Sequence, residues 1–197
     1  MSEKIDDRCE FWTPENIYLY EDAIDKIIRY IKKIDEHVFE KSGNHIVRHT
    51  ENRLKSSESI EEKLRRKGKT IAISDANKVI NDLAGVRVIC FDSRQVYTLA
   101  DEIRKNKKLT VIKEKDYILH PKENGYQSYH MIIEISGVRV ELQIRTILMD
   151  AWSSLETVLV YKKKDIPPKE IIEKIHKFSK WSKKMDQMVE EMLEMKG

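Results

Sequence analysis

The sequence is poor in the residues that define several protein classes. It has only two cysteines among 197 residues, Cys9 and Cys90, which lie far apart, and Cys90 sits in an apolar, strand-like run. This spacing excludes a disulfide framework and a cysteine-based metal site. No apolar run approaches the length of a membrane span, and none resembles the core of a secretion signal. We therefore expect a soluble, cytoplasmic protein that makes no membrane contact.

A large excess of one charge is also lacking. Lys and Arg number 37 and Asp and Glu number 34, so the net charge is +3 although charged residues make up 36% of the chain. This near-balance argues against a uniformly basic nucleic-acid coat, and local clusters are more informative than the total. The length favours one domain with a hydrophobic core, or one domain with helical extensions.

Hydrophobic periodicity predicts a long helix at each end of the chain. Thr13-Pro14 is typical of a helix start, and apolar residues then recur every three or four positions up to Ser42-Gly43. A second long helix is predicted after Pro167-Pro168, with a stripe of large apolar side chains that ends at Met192. Because this stripe is long for the core it could cover, we expect a homo-oligomer, as an alternative to ordinary packing on the parent domain.

Between these helices the pattern predicts a sheet. Strands are predicted at residues 85–91, 109–115, 129–136 and 138–145, with a tight turn at Ser136-Gly137 between the last two. Helices are predicted at 53–68, with Ser57 or Ser59 as the cap, and around Val96–Ile103 and Ile147–Leu159. This order of elements predicts an α+β fold in which a mixed β-sheet is flanked by helices.

Strict alternation in the last strand leaves two interpretations for its polar face. The even positions of 138–145 are apolar, and the odd positions are Arg139, Glu141, Gln143 and Arg145. Such a face can simply meet water. Alternatively it forms the floor of a site, with Glu141 paired to Asp82 on a neighbouring strand edge. Two carboxylates together with substrate phosphates are typical ligands of Mg²⁺. Without such a partner, Asp82 would be an ordinary cap at a turn.

The predicted basic helix has a cationic face. Ser59, Lys63 and Arg66 (or Lys67) share this face, and Arg53 and Lys55 come just before the helix. Helix N-termini, Arg and Lys all favour phosphate, although Glu61 and Glu62 also fit a helix that is simply solvated.

These segments together resemble the synthetase domain of the RelA/SpoT family, in particular the small alarmone synthetases. The matching stretches, in family order, are "RLKSSESIEEKLRRKG", "NDLAGVRVICF", "KEKDYILHPKENGYQSYHMIIE", "VRVELQIRT" and "MDAWSSLETVLVYK". The resemblance covers about residues 45–165. It implies a nucleotidyltransferase-like synthetase domain at 45–165, between an N-terminal helical extension (1–44) and a C-terminal helix (166–197).

The activity that the resemblance implies is transfer of the β,γ-pyrophosphate of ATP to the 3′-hydroxyl of GDP or GTP, giving (p)ppGpp and AMP. Asp82 and Glu141 would be catalytic and bind Mg²⁺. The residues expected to bind ATP are Arg53 and Arg87, on either side of the adenine, and Lys55, Ser59, Lys63 and Arg66 at the phosphates. The residues expected to bind the acceptor are Lys115, Lys122, Asn124, Tyr126, His130 and Gln143, with Tyr126 stacked on guanine.

Two positions depart from the family pattern. Gln127 replaces the usual arginine of the Gly-Tyr-Arg-Ser loop, and Thr157 replaces the histidine of Leu-Glu-His. We expect both to lie on the acceptor side, where Gln127 would remove one cation.

Two other functions remain open from the sequence. Toxic relatives pyrophosphorylate the 3′ end of tRNA, and Lys32-Lys33 with Arg139 and Arg145 could form the basic patch that such a substrate needs. An antitoxin partner would then be expected. A catalytically inactive nucleotide- or RNA-binding module is the other alternative, against which the intact set of Arg53, Arg87, Asp82 and Glu141 argues. For assembly, the family resemblance implies a homotetramer.

Overall fold

The computed structural model describes residues 12–68, 76–160 and 167–196 of the chain. Its elements are α1 (Pro14–Ser42), β1 (His49–Leu54), α2 (Ser57–Arg66), α3 (Ala76–Val79), β2 (Ala84–Cys90), α4 (Ser93–Lys105), β3 (Thr110–Asp116), β4 (Tyr129–Ile135), β5 (Val138–Thr146), α5 (Ile147–Leu159) and α6 (Lys169–Lys196). The predicted α+β class is confirmed. Cys9 and the end of the last family motif, residues 161 and 162, lie outside the described ranges.

The five strands form one mixed sheet in the order β1-β2-β5-β4-β3. Strands β2 and β5 run parallel, and the other neighbours are antiparallel. The predicted turn between β4 and β5 is confirmed, since Ser136 and Gly137 have φ of 53° and 79°. Positive φ at both turn residues matches the twist of a two-residue hairpin.

One face of the sheet is apolar and carries the core. The alternating side chains Val86, Val88, Val140, Leu142 and Ile144 are all essentially buried. Helices α1 and α4 both contact β2 and β5, and the isoleucine stripe of α1 belongs to the same buried cluster. Burial of this apolar surface is the main stabilising contribution to the fold.

The strand register places two rows of residues across the opposite face. The first row, from β1 to β3, is Glu51, Arg87, Gln143, His130 and Lys115; the second is Arg53, Gly85, Glu141, Ile132 and Lys113. Residues far apart in sequence therefore become neighbours because each lies at the matching position of its strand.

Two elements were not predicted, and one cap was assigned wrongly. Strand β1 (HTENRL) lies at the sheet edge and is mostly exposed, so it lacks an apolar alternation, and α3 is only four residues long. The cap of α2 is Ser56, whose hydroxyl accepts from the Ser59 amide, and neither Ser57 nor Ser59. Three serines within four residues (Ser56, Ser57 and Ser59) made the position of the cap ambiguous from sequence.

The apolar stripe of α6 divides between inside and outside. Ile175 is buried, and the indole of Trp152 donates to its carbonyl at 2.9 Å. Further along, the buried positions are Ser179, Ser182 and Asp186, whereas the large apolar side chains face outward. None of the helices in the described ranges is long and apolar enough to cross a membrane.

Candidate active site

Asp82 and Glu141 line the same cavity, of about 230 Å³, on the polar face of the sheet. Asp82 lies two residues before β2, and Glu141 sits beside Gly85 in the parallel register of β2 and β5. The expected neighbourhood of the two carboxylates on adjacent strands is therefore found. Lys63, Lys115, Lys122 and His130 also line this space, which we call the lysine cavity.

Asp82 is held by two lysines. Its Oδ1 accepts from Lys63 Nζ at 2.7 Å and its Oδ2 from Lys55 Nζ at 3.2 Å. Burial raises the pKa of Asp82, but the hydrogen bonds and charges of Lys63 and Lys55 outweigh it and leave the pKa below its ordinary value. Asp82 is therefore ionised at neutral pH, next to two cations.

Glu141 is held from its other side by polar neighbours. His130 Nδ1 lies 3.1 Å from Oε1, and Gln143 Nε2 donates to Oε2 at 2.8 Å. Burial raises the pKa of Glu141, and the charge of Asp82 adds to this effect. The contacts with His130 and Gln143 lower the pKa by more than these two effects raise it, so the pKa lies below its ordinary value. The two carboxylates thus form a close, doubly ionised pair.

This pair fits Mg²⁺, although within the described residues no group of three or more candidate metal ligands occurs. Mg²⁺ keeps several waters and takes one or two carboxylates together with substrate phosphates. The two carboxylates, which repel each other, lie in a cavity lined by lysines and supply oxygen ligands of the kind that Mg²⁺ prefers.

Of the two candidates at the end of α2, Lys67 lines the lysine cavity and donates to the Val79 carbonyl at 2.9 Å. Arg66 is exposed and lies outside that lining. Ser59 sits at the start of α2, where its hydroxyl accepts from Ser56 at 3.1 Å. The cationic face predicted for α2 therefore points at the carboxylates through Lys63 and Lys67.

Tyr117 and His130 form the aromatic part of the lysine cavity, and Tyr126 packs against both of them from outside its lining. Tyr117, Tyr126 and His130 meet edge to face with centroids 5.2–5.9 Å apart. Lys122 Nζ lies 4.7 Å from the Tyr126 ring centre and 4.8 Å from that of Tyr117. Tyr117 was not among the residues predicted from the sequence, although its position between Lys115 and Lys122 was the available signal.

Two residues of the loop around Tyr126 face α6. A Cβ at Gly125 (φ +89°) would stand 2.7 Å from Ser179 Oγ of α6, so this glycine makes room for α6. Gln127 does not stand beside the other acceptor candidates. It is 5% exposed and lines a separate cavity with Asp186 of α6. The inference that Gln127 removes a cation from the acceptor side was therefore wrong.

Asn124 contacts α5, the helix that carries Thr157. Asn124 Oδ1 accepts from the Tyr126 amide at 3.1 Å, and its Nδ2 donates to Glu156 at 3.3 Å. Thr157 is exposed, and its hydroxyl donates to the Ser153 carbonyl at 2.8 Å. Asn124 thus shapes the backbone leading into Tyr126.

Arg53 and Arg87 line a second cavity, of about 210 Å³, together with Gln143. We call it the arginine cavity. Arg87 Nη1 donates to Glu51 at 3.0 Å, while its buried Nε has no hydrogen-bond partner among the described residues. Gln143 was expected at the acceptor and instead spans the boundary, since its amide bonds Glu141 of the lysine cavity. Planar guanidinium groups here can stack on a π-face.

Arg145 was expected in a surface patch, and this was wrong. It is only 3% exposed, and its Nη2 donates to the Tyr126 hydroxyl at 2.7 Å and to Gln143 Oε1 at 2.9 Å. Alternation indicated the right face for Arg145 but not that Tyr126 covers it.

The chain matches known proteins along most of its length. A family model described as a region found in RelA/SpoT proteins matches residues 52–166. GTP pyrophosphokinase YwaC of Bacillus subtilis is 37% identical over 174 residues, covering 84% of this chain and 82% of that protein.

Solved structures agree with this relationship. Small alarmone synthetase 2 of Bacillus subtilis is 34% identical, with a TM-score of 0.79, over 93% of this chain and 97% of that chain. Small alarmone synthetase 1 of Bacillus subtilis, bound to its product pppGpp, is 28% identical with a TM-score of 0.79, over 92% and 96% of the two chains. On the family match, the sequence identity and the shared fold, this chain belongs to the RelA/SpoT family.

Proposed function

We propose that this protein is a GTP pyrophosphokinase, which transfers the β,γ-pyrophosphate of ATP to the 3′-hydroxyl of GDP or GTP. The observation that carries the proposal is the presence of two carboxylates, Asp82 and Glu141, in a lysine-lined cavity that adjoins an arginine-lined cavity through Gln143. Relatives that match most of the chain are named GTP pyrophosphokinases.

The proposed reaction joins the acceptor 3′-oxygen to the β-phosphorus of ATP. The bond between the β-phosphorus and the oxygen of the α-phosphate breaks, and AMP leaves with that oxygen. The hydroxyl proton passes to Glu141 or Asp82, both of which are ionised. Since such transfer depends on positioning and charge neutralisation, the groups that hold the two nucleotides matter most.

ATP would occupy the arginine cavity and the α2 side of the lysine cavity. Arg53 and Arg87 would enclose the adenine by guanidinium stacking. Lys55 and Lys63, which bond Asp82 in the unbound protein, would turn to the triphosphate, with Ser59 at the start of α2 and Arg66 at its end. Mg²⁺, when bound by Asp82 and Glu141, would neutralise charge on the transferring phosphates.

The acceptor would bind at the aromatic end of the lysine cavity. Tyr126 would stack on the guanine, and Lys115, Lys122 and His130 would bind the phosphates of the acceptor. Asn124 would hold the backbone at Tyr126, and Gln143 would hold Glu141. Lys122 Nζ lies 4.7 Å from the Tyr126 ring centre, so a stacked base would move this ammonium towards the phosphates.

Transfer from γ-³²P-labelled ATP in Mg²⁺ tests the proposal, with GDP, GTP and bulk tRNA as separate acceptors. We expect labelled ppGpp or pppGpp and stoichiometric AMP. Transfer to none of these acceptors would contradict the proposal. Labelling of tRNA alone would support the toxin alternative, which lost part of its basis when Arg145 proved to be buried. The antitoxin tied to that alternative is not proposed further.

We also propose that the chain forms a homotetramer through α6 and acts in the cytoplasm, where its nucleotide substrates occur. Trp181, Met185, Met188 and Met192 are each 49–58% exposed and repeat at spacings of four, three and four residues. Such spacing is typical of a helix–helix seam.

Light scattering at micromolar concentration tests this assembly. Met188→Glu places a charge in the stripe and should lower the measured mass, whereas Gln187→Glu adds the same charge at the neighbouring exposed position and should not. A monomeric wild-type protein would contradict the proposal.

A further inference from the structure

One carboxylate oxygen joins the two cavities. Oδ1 of Asp150, on α5, lies 3.2 Å from Nη1 of Arg87 and accepts a 3.2 Å hydrogen bond from Nη1 of Arg145. Arg87 lines the arginine cavity, whereas Arg145 holds Tyr126 and Gln143, which contact His130 and Glu141 of the lysine cavity. Asp150 is therefore shared by one cation of the arginine cavity and a second cation whose partners contact the lysine cavity.

Arg145 is connected to the lysine cavity through two neighbouring side chains. Its Nη2 donates to Tyr126 and to Gln143, and Gln143 bonds Glu141, which contacts His130. His130 Nε2 lies 2.8 Å from the Tyr126 hydroxyl. The five side chains Arg145, Gln143, Glu141, His130 and Tyr126 thus form a closed ring of hydrogen bonds.

The charges make Asp150 necessary to this ring. A guanidinium as buried as that of Arg145 needs a paired carboxylate, because an uncompensated buried charge is strongly unfavourable. Arg87 forms an ion pair with the same Asp150 oxygen, and it also donates a hydrogen bond to Glu51. A group that fixes Arg87 in one position therefore changes how strongly Asp150 can hold Arg145.

We infer that Asp150 and Arg145 are positioning residues that couple the arginine cavity to Tyr126 and Glu141. This inference rests on the proposed function, in which ATP and the acceptor occupy the two cavities. A nucleotide bound on one side then changes the affinity for the nucleotide on the other, and by thermodynamic linkage the change is reciprocal.

Calorimetric binding of GDP, with and without saturating α,β-methylene ATP in Mg²⁺, tests the coupling without turnover. The bond that breaks in the reaction is absent from this analogue. We expect the analogue to change the GDP dissociation constant of wild-type protein roughly five-fold or more. Asp150→Asn keeps the shape but removes the charge, and should bring this factor close to one.

Asp22→Asn is the matched control, because Asp22 forms an ion pair with Lys26 on α1 and neither residue lines the lysine or the arginine cavity. It should leave the coupling factor unchanged. If Asp150→Asn fails to fold, as judged by circular dichroism, Tyr126→Phe replaces it, since it removes only the hydroxyl that Arg145 holds. It should also lower the factor.

An unchanged coupling factor in the folded variant, or a factor of one in wild-type protein, would overturn the inference while leaving the proposed function intact. Failure of wild-type protein to bind GDP or the analogue would overturn the proposed function and this inference with it.

Discussion

The two faces of the sheet use the same strands for opposite purposes. On one face Val86, Val140 and Leu142 are buried by α1 and α4. On the other, Arg87, Glu141 and Gln143 occupy the alternate positions of the same two strands, and each has a polar or charged partner. Substitutions one residue apart should therefore separate stability from activity.

The carboxylates of the polar face should show the largest effect. Asp82→Asn or Glu141→Gln removes a charge that the proposed transfer needs, and we expect a loss of roughly 10³-fold in rate, which corresponds to several kcal/mol. The rate of pyrophosphate transfer from labelled ATP measures this loss, with thermal unfolding as the check on folding.

Glu134→Gln is the control for this prediction, because Glu134 is an exposed carboxylate on β4 that contacts Arg139. Its rate should match wild type. Undiminished turnover by either Asp82→Asn or Glu141→Gln would remove these residues from the proposed site.

A substitution at the position next to Glu141, on the apolar face, should lower stability and leave turnover largely unchanged. Leu142→Ala leaves a cavity in the core, and we expect the free energy of unfolding to fall by about 2–5 kcal/mol. Urea unfolding measures this loss. The turnover of the folded fraction should stay near that of wild type, and a comparable collapse of turnover would show that the two faces are not separable.

Tyr126 should give a smaller effect, confined to one substrate. Tyr126→Ala removes a stacking contact worth roughly 1–3 kcal/mol, which is about a ten- to hundred-fold loss in acceptor use. The affinity for ATP in the absence of acceptor should barely change. Steady-state kinetics with the acceptor varied, and calorimetric binding of ATP without acceptor, distinguish this from a general role of the loop, for which both constants would worsen equally.

The smallest effect concerns a buried carboxylate away from the polar face. Burial, with smaller contributions from the charges of Asp92 and Glu190, raises the pKa of Asp186 to about 7, although Thr146 donates a hydrogen bond to it. The folded state then binds this proton more tightly than the unfolded state. Its contribution to stability is therefore full below pH about 4 and is lost as the pH rises to about 7.

Asp186→Asn should remove this pH dependence of stability. It should raise the melting temperature at pH 8 by about 2–4 °C for each kcal/mol gained in the free energy of unfolding. At pH 4 the variant and wild type should melt alike. A variant that melts lower than wild type at pH 8 would mean that ionised Asp186 stabilises the fold. Asp186 would then not contrast with Asp82, for which Lys55 and Lys63 lower the pKa and stabilise the ionised form.

Local patterns were enough to predict most of the fold. Alternation in residues 138–145 identified β5 and its two faces, and the stripe from Pro14 to Ser42 identified α1, because both depend on period and neighbouring side chains alone. Strand β1 escaped prediction because an exposed edge strand has no apolar face to signal it.

The sequence by itself determined the identities of the candidate site residues, since the family motifs place Asp82, Glu141, Arg53 and Arg87 in short recognisable segments. Only the tertiary structure decided which of these residues contact one another. The parallel register of β2 and β5 puts Glu141 beside Gly85, α6 fills the space at Gly125, and α5 brings Asp150 between Arg87 and Arg145. These contacts follow from strand register and helix packing over long sequence separations, which no local pattern of residues encodes.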